Sequence, residues 1–334
     1  MNPFAIVAVA VTIRQMVAGV DLIGRSAEQG LLRAMLDADT EERAVTLRGE
    51  PGAGKTVLIE QLCRDARSRG WRVIRTLGVA AEEHFALGGI HQIVFALREF
   101  ADLLDDRSRE ILAPVYSGES AATGTSLPLV GAVLTLLSAA ARDTPVLTVV
   151  DNVHWLDDVS AQVLDGVGRR LTDPGVRIVA ALRPLEQYAF SGAGWRDMVL
   201  RPLTAQDSGL LLDRSGAQLS AAARERILTA AAGNPLALSE LPHCADQITT
   251  GSGSLPLTER LVGVFAGRLN QMDPLVQATL LRAALDGSAD GAGADRSRYE
   301  MHGVESAVAS GLLTLNPLGR PVFRLFMIEG VVGV

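Results

Sequence analysis

The sequence predicts an α/β protein in which a parallel sheet, covered by helices on both faces, is followed by a mainly helical region. Short runs of Val, Ile and Leu alternate with longer helical patterns as far as residue 203, and helical patterns continue beyond it. Continuous apolar strands between helices are typical of parallel sheets, whose strands are buried on both faces. The alternation, together with its end near residue 203, therefore predicts the fold class.

Each predicted element follows from its own apolar pattern and its flanking residues. The first strand ends at a glycine, and the helix after it closes on Gly70. In chain order the predicted elements are a strand over 44–49, a helix over 56–70, a strand over 71–78, a helix over 128–143, a strand over 146–151, a helix over 160–173 and a strand over 176–184. The last predicted element, over 312–325, is a β-hairpin with its turn at 316–319.

Composition and charge exclude several classes of protein. The chain has 334 residues, 48% of them hydrophobic, and a net charge of −7. These values suit a large buried core and give no basic face for nucleic acid. Cys63 and Cys244 are far apart and lack a metal-binding motif, so we expect reduced thiols in a cytoplasmic protein. The apolar run over 4–11 is too short to cross a bilayer, so we expect no membrane contact.

The strongest motif is GEPGAGKT, at 49–56, which follows a predicted strand and opens a predicted helix. This is the pattern of a phosphate loop, in which glycines let backbone N–H groups turn toward the β-phosphate of a nucleotide. Lys55 is expected to reach the β- and γ-phosphates, and the Thr56 hydroxyl is expected to bind Mg²⁺. The residues predicted to bind ATP here are Gly49, Glu50, Pro51, Gly52, Ala53, Gly54, Lys55, Thr56 and Val57.

A second signal follows the apolar strand VLTVVD. Asp151 ends that strand, where a carboxylate can orient the water shell of Mg²⁺. The base that aligns an attacking water is commonly the next acidic residue, and Asn152 occupies that place. An amide can hydrogen-bond a water but cannot accept its proton, which predicts slow hydrolysis. Asp157 and Asp158 are alternative acids, although both also suit the cap of the following helix.

Seven strings of the sequence occur in the order found in one family of regulators. They are LIGRSAEQGLLRAML at 22–36, GEPGAGKT at 49–56, LGVAAEEHFALGGIHQIVFAL at 77–97, VVDNVHWLDDVSAQVL at 149–164, ALRP at 181–184, LRPLTAQDSGLLL at 200–212 and AAGNPLALSEL at 231–241. Through these strings the chain resembles the N-terminal ATPase module of the large ATP-binding LuxR-type transcriptional regulators, members of the STAND class of signal-transduction NTPases. The string HWLD followed by Ser160 is the most specific part of the resemblance.

The resemblance implies further roles for individual residues. These are contact with the adenine for Gly24 and Arg25, sensing of the γ-phosphate for Arg183, and packing against the nucleotide for Gly233 and Pro235. The alternatives are a simple surface arginine at Arg183 and a purely structural role for His154 and Trp155, which pack the turn after the strand.

The sequence departs from the family pattern at two places. Asn152 replaces a second aspartate, and Leu325 follows Phe323-Arg324 where the family usually has a histidine that can touch the β-phosphate. The helical repeats and the helix-turn-helix that follow in the family are missing, so the chain is expected to be truncated. The expected domains are a tail at 1–20, a P-loop NTPase domain at 21–203, a helical lid at 204–255, a winged-helix-like domain at 256–326 and a truncated tail at 327–334.

These observations predict an ATP-binding switch whose ATP and ADP states differ in their contacts and which hydrolyses ATP slowly. Lys55, Asp151, Asn152 and Arg183 are the residues expected to act in hydrolysis. Two alternatives remain open: an ATPase that turns over freely, and a non-hydrolysing nucleotide-binding decoy or truncated remnant. The expected ligands are ATP or ADP with Mg²⁺, and the expected protein partner is a second copy or a full-length relative. Direct DNA binding is not expected.

Overall fold

The computed structural model describes residues 22–82, 84–118, 126–183, 190, 192–244, 258, 261–263, 266, 269, 272–287, 301–309, 313–315 and 321–323. The predicted tails at 1–20 and 327–334, the hairpin turn at 316–319 and Leu325 lie outside these ranges. The chain divides into two compact units. Unit 1 comprises Met1–Glu50 and Lys55–Leu200, and unit 2 comprises Pro51–Gly54 and Arg201–Val334.

Unit 1 contains the alternating helices and strands that the sequence predicts. Its elements are α1 (Ser26–Ala34), β1 (Ala44–Arg48), α2 (Lys55–Ser68), β2 (Arg72–Leu77), α3 (Gly88–Ala96), α4 (Asp106–Ser117), α5 (Ser126–Ala140), β3 (Val146–Asp151), α6 (Asp158–Arg170), β4 (Val176–Leu182) and β5 (Trp195–Val199). Short 3₁₀ helices lie at Arg98–Leu103 and Val153–Trp155.

The five strands form one parallel sheet in the order β2-β3-β4-β1-β5, which confirms the predicted parallel sheet. Every residue of β1, β3 and β4 is buried. The connections from β1 to β2 and from β3 to β4 run in opposite directions across the sheet, so right-handed crossovers place α2 and α6 on opposite faces. Because the strands are parallel, Gly49, Asp151 and Arg183 follow or end strands at one edge of the sheet.

The edge strand β5 is an element that the apolar pattern does not predict. It pairs only with β1, and its residues alternate irregularly between buried and exposed. Asp197 on this strand accepts hydrogen bonds from Thr46 Oγ1 at 2.6 Å and from Arg48 Nε at 2.8 Å. An edge strand needs less apolar sequence because one side of it has no neighbouring strand. The polar residues of β5 therefore give no strand pattern in the sequence, although they hold the strand in place.

Helices α3 and α4 are two further elements that the sequence analysis does not predict. Helix α3 begins with Gly88 and Gly89, a poor start on local propensity. A β-carbon at Gly89 would lie 2.8 Å from Leu156 Cδ2 and 3.0 Å from Ser160 Cβ, so a larger residue here would displace side chains of the turn after β3 and of α6. Helix α4 is capped by Asp105, whose side chain accepts from Ser108 N at 2.9 Å.

Unit 2 is mainly helical in its described residues, the last of which form a short hairpin. Its elements are α7 (Ala205–Asp213), α8 (Ala221–Ala231), α9 (Pro235–Glu240), a 3₁₀ helix at Leu241–Cys244, α10 (Pro274–Gly287), α11 (Met301–Ala309), β6 (Leu313–Leu315) and β7 (Pro321–Phe323). The antiparallel pairing of β6 with β7 confirms the predicted hairpin. Across the parts of both units that the structure describes, no helix is long and apolar enough to span a bilayer.

Candidate nucleotide site

The first part of the candidate site, in unit 1, is the junction of β1 with helix α2. Gly49 N donates to Leu182 O at 3.3 Å, which ties the end of β1 to the neighbouring strand β4. Lys55 is the first residue of α2, and its Nζ donates to Gly49 O at 2.6 Å and to Glu50 O at 3.1 Å. The ammonium group therefore lies over the start of the predicted phosphate loop.

The middle of the predicted loop, Pro51–Gly54, belongs to unit 2. Gly52 and Gly54 have φ angles of +77° and +96°, a region that residues with a β-carbon rarely adopt. Asn234 Nδ2 donates to Pro51 O at 2.8 Å, and Leu236 N donates to Gly52 O at 3.2 Å. A β-carbon at Gly52 would lie 2.7 Å from Asn234 Oδ1, so glycine is required here for space as well as for conformation.

The two predicted Mg²⁺ ligands lie next to each other in unit 1. Thr56 Oγ1 donates to Asp151 Oδ2 at 3.3 Å, and Asn152 N donates to Asp151 Oδ1 at 2.9 Å. Asp151 is 5% exposed, and this burial raises the pKa of its carboxyl above the ordinary value, opposed by the Asn152 N–H and the charges of Arg75 and Lys55. A buried carboxylate beside a hydroxyl is a hard oxygen donor set of the kind that Mg²⁺ prefers.

Asn152 has a left-handed backbone conformation, with φ 54° and ψ 49°. Its carbonyl oxygen accepts from Trp155 N at 2.9 Å and lies so close to β2 that a β-carbon at Gly78 would be 2.2 Å away from it. Among residues with a β-carbon, asparagine and aspartate tolerate this conformation best. The sequence reasoning identified Asn152 by its chemistry but missed this backbone requirement.

Three further side chains predicted by the resemblance meet at the same sheet edge. The His154 and Trp155 rings lie 4.6 Å apart, and the Arg183 guanidinium lies 5.9 Å from the Trp155 ring centroid. Burial, together with the charges of Arg183 and Lys55, lowers the pKa of His154 to about 3, so this imidazole is neutral at pH 7. Trp155 thus provides a cation–π contact for Arg183.

Asp157 caps two helices at once, as the capping interpretation of this residue predicts for α6. Its Oδ1 accepts from Ser160 N at 2.9 Å, at the start of α6, and from Leu87 N at 2.9 Å, before α3. Its Oδ2 accepts from Gly89 N at 3.3 Å. Asp157 is only 5% exposed, and three backbone donors occupy its oxygens, so it is poorly placed to act as a base.

Replacing Asp157 with alanine is expected to lower the free energy of unfolding by about 3 kcal/mol, because the α6 cap is lost and two further buried N–H groups lose their acceptor. Urea unfolding followed by circular dichroism measures the effect. Asp158→Ala is the matched control, since Asp158 is adjacent and exposed, and we expect a change within about 0.5 kcal/mol. Equal losses in the two variants would contradict the double cap.

The remaining predicted residues lie at helix starts. Gly24, with φ 68°, precedes α1, and Arg25 is 6% exposed and pairs with Glu28 at 3.2 Å. Pro235 is the first residue of α9, directly after Asn234. Gly233 has φ 76°, and a β-carbon there would lie 2.5 Å from Leu203 O. In the described part of the chain, no group of three or more His, Cys, Asp or Glu side chains is arranged to hold a metal ion.

The comparison with sequence families agrees with the predicted phosphate-loop motif and with the parallel sheet. Residues 21–179 match the AAA ATPase domain. This part of the chain resembles an AAA-type nucleotide-binding module, and the match spans the predicted loop, Asp151 and Asn152. No curated protein sequence matches the chain.

Two solved structures with low sequence identity share the fold. The Walker-type ATPase of Pyrococcus abyssi is 13% identical with a TM-score of 0.57, over 94% of this chain and 97% of that one. The ORC2 protein of Aeropyrum pernix, solved as ADPNP–ADP complexes, is 15% identical with a TM-score of 0.50, over 93% of each chain. A STAND protein with a tetratricopeptide repeat sensor from Pyrococcus horikoshii is 12% identical with a TM-score of 0.45, and the match covers 93% of this chain but 42% of that one.

Proposed function

We propose that this chain is an ATP-binding switch that hydrolyses ATP slowly and forms the regulatory ATPase part of a LuxR-type transcriptional regulator. The observation that carries the proposal is the position of Thr56 at the start of α2, with its hydroxyl 3.3 Å from the Asp151 carboxylate at the end of β3. A phosphate loop and a strand-end aspartate in contact are the two parts that an ATP·Mg²⁺ site requires.

In this proposal each residue of the site has a defined task. The backbone N–H groups of the loop at 49–56 bind the phosphates, and Lys55 exchanges the carbonyl oxygens of Gly49 and Glu50 for charged phosphate oxygens. Thr56 and Asp151 would hold Mg²⁺, which supplies positive charge to the phosphate oxygens. Gly24 and Arg25 lie near the adenine and Pro235 packs against the nucleotide, as the resemblance implies.

Slow hydrolysis follows from the side chain at the water-aligning position. Asn152 can orient a water through its carboxamide but cannot take up the proton that the water releases. Asp157, the nearby acid, is occupied by three backbone N–H groups. The ATP state is therefore long-lived, and Arg183, held against Trp155, responds to the γ-phosphate.

The regulator role rests on the order of the seven sequence strings that resemble the LuxR-type family. In the proposal, residues 204–255 act as the lid and residues 256–326 as a winged-helix-like domain that moves with the nucleotide state. The partner is a second copy or a full-length relative, without direct binding to DNA. Asn152 also favours a second candidate, a nucleotide-binding decoy that does not hydrolyse ATP at all.

Calorimetric titration with ADP and with ATP, each with and without Mg²⁺, tests the proposed function. We expect saturable binding of both nucleotides that is tighter with Mg²⁺ for ATP. No binding in any of the four titrations would overturn the proposal. Phosphate release measured on the same sample separates the alternatives, because rapid repeated turnover identifies a freely running ATPase and its complete absence identifies the decoy.

A further inference from the structure

Asn234 makes contacts that neither the motif nor the family match assigns. The residue is 6% exposed, and its carboxamide both accepts and donates hydrogen bonds. Oδ1 accepts from Leu236 N at 3.0 Å and from Ala237 N at 3.2 Å, which caps α9, while Nδ2 donates to Pro51 O at 2.8 Å. Because two N–H groups donate to one amide atom and a carbonyl oxygen accepts from the other, the oxygen and the nitrogen of the amide are assigned without ambiguity.

The residue type at position 234 matters because the residues that commonly cap the N-terminus of a helix differ in their hydrogen-bond donors. A serine, threonine or aspartate can accept from the first turn of a helix, but asparagine alone among the preferred caps adds an NH₂ group. In unit 2, Thr204 and Ser220 cap α7 and α8 through their side-chain oxygens. The amide at Asn234 therefore performs a second task beyond capping.

That second task concerns the direction of two peptide groups in the predicted phosphate loop. Pro51 O is bonded to Asn234 Nδ2, and Gly52 O is bonded to Leu236 N. In a trans peptide the N–H points opposite to the C=O of the same unit. The N–H groups of Gly52 and Ala53 are therefore turned away from the start of α9.

From this geometry we propose that Asn234 is a positioning residue for phosphate binding, an inference that rests on the proposed function. By holding the Pro51 carbonyl toward the start of α9, it orients the loop so that the N–H groups of Gly52 and Ala53 face the β-phosphate of a nucleoside di- or triphosphate. A loop that is already shaped for the anion does not lose conformational freedom when the anion binds. By reciprocity, a bound phosphate strengthens the Asn234 bonds at the start of α9.

The test compares three single variants for Mg·ADP affinity, by calorimetry, and for melting temperature without nucleotide. Asn234→Ser keeps a neutral cap but removes the NH₂ donor, and we expect about tenfold weaker binding with little change in the melting temperature of the nucleotide-free protein. Asn234→Asp keeps the cap but adds a charge beside the Pro51 carbonyl, so we expect a larger loss. Ser220→Asp adds the same charge at a cap without loop contact and should bind as the wild type does.

Wild-type affinity in Asn234→Ser overturns the positioning role. If that variant melts markedly lower than the wild type, Asn234→Asp takes its place, and wild-type affinity there overturns the role equally. Loss of affinity in Ser220→Asp as large as in Asn234→Asp would also overturn it, because the effect would then be one of charge alone. A wild type that binds no nucleotide instead refutes the proposed function itself.

Discussion

Lys55→Ala is expected to weaken ATP binding at least about 100-fold, because it removes two or more charge-assisted hydrogen bonds worth roughly 1.5–3 kcal/mol each. The Lys55 ammonium lies 2.6 Å from Gly49 O and 3.1 Å from Glu50 O, at the start of the loop. The flexible stem and compact charge of lysine suit this position, whereas the planar guanidinium of arginine does not. Calorimetric titration with Mg·ATP measures the loss.

Arg69→Ala provides the control for the lost charge. Arg69 lies in the same unit and forms an exposed ion pair with Asp37 at 2.7 Å. It directly follows the C-terminal end of α2, about 20 Å from Lys55 at the start of that helix. Its removal changes the net charge by the same amount, and we expect unchanged affinity for ATP. Affinity in Lys55→Ala equal to that in Arg69→Ala would remove Lys55 from the site.

Asn152→Asp is expected to raise single-turnover phosphate release at least tenfold, a conservative part of the roughly 10²–10⁴-fold that general bases contribute. Aspartate tolerates the left-handed backbone at this position nearly as well as asparagine does, so the fold should accept the change. The new carboxylate follows the buried Asp151 directly, and the repulsion between the two raises the proton affinity of the pair. A base with raised proton affinity suits proton uptake near neutral pH.

Asn152→Gly is the matched variant for the same position. Glycine adopts the left-handed conformation without strain but offers no group to a water. We expect phosphate release below that of the wild type, because phosphoryl transfer depends on positioning and the amide still orients the water in the wild type. If the wild type already matches Asn152→Asp, Asn152 does not limit the rate and another residue accepts the proton.

The sequence predicted the parallel sheet, and it singled out the candidate site residues, because both kinds of signal are local. The buried strands β1, β3 and β4 are continuous apolar runs, and GEPGAGKT carries its own strand and helix context. Strand β5 was not predicted because its polar residue Asp197 is bonded by Thr46 and Arg48, which are far away in sequence. The local sequence pattern does not indicate such a long-range contact.

The parts of the site that the sequence did not predict also depend on contacts between segments that are far apart in the chain. Asp157 could be assigned as a cap of α6 from its position, but its bonds to Leu87 and Gly89 join segments that the sequence places far apart. Asn234 lies between Gly233 and Pro235, both of which the resemblance singles out, and its bond to Pro51 gives no signal in either segment. The close approach at Gly78 could be found only once the turn after β3 had been placed.

Lys55 is the single lysine in the chain, among 31 basic residues of which the others are arginine. An amine-reactive reagent therefore has one side-chain target, and mass spectrometry can follow its modification with and without Mg·ATP. If the phosphates of ATP bind at the loop, the nucleotide slows modification of Lys55 strongly, and adenosine, which lacks phosphates, does not. Modification at the same rate with and without saturating Mg·ATP would contradict the central claim that this loop holds the nucleotide.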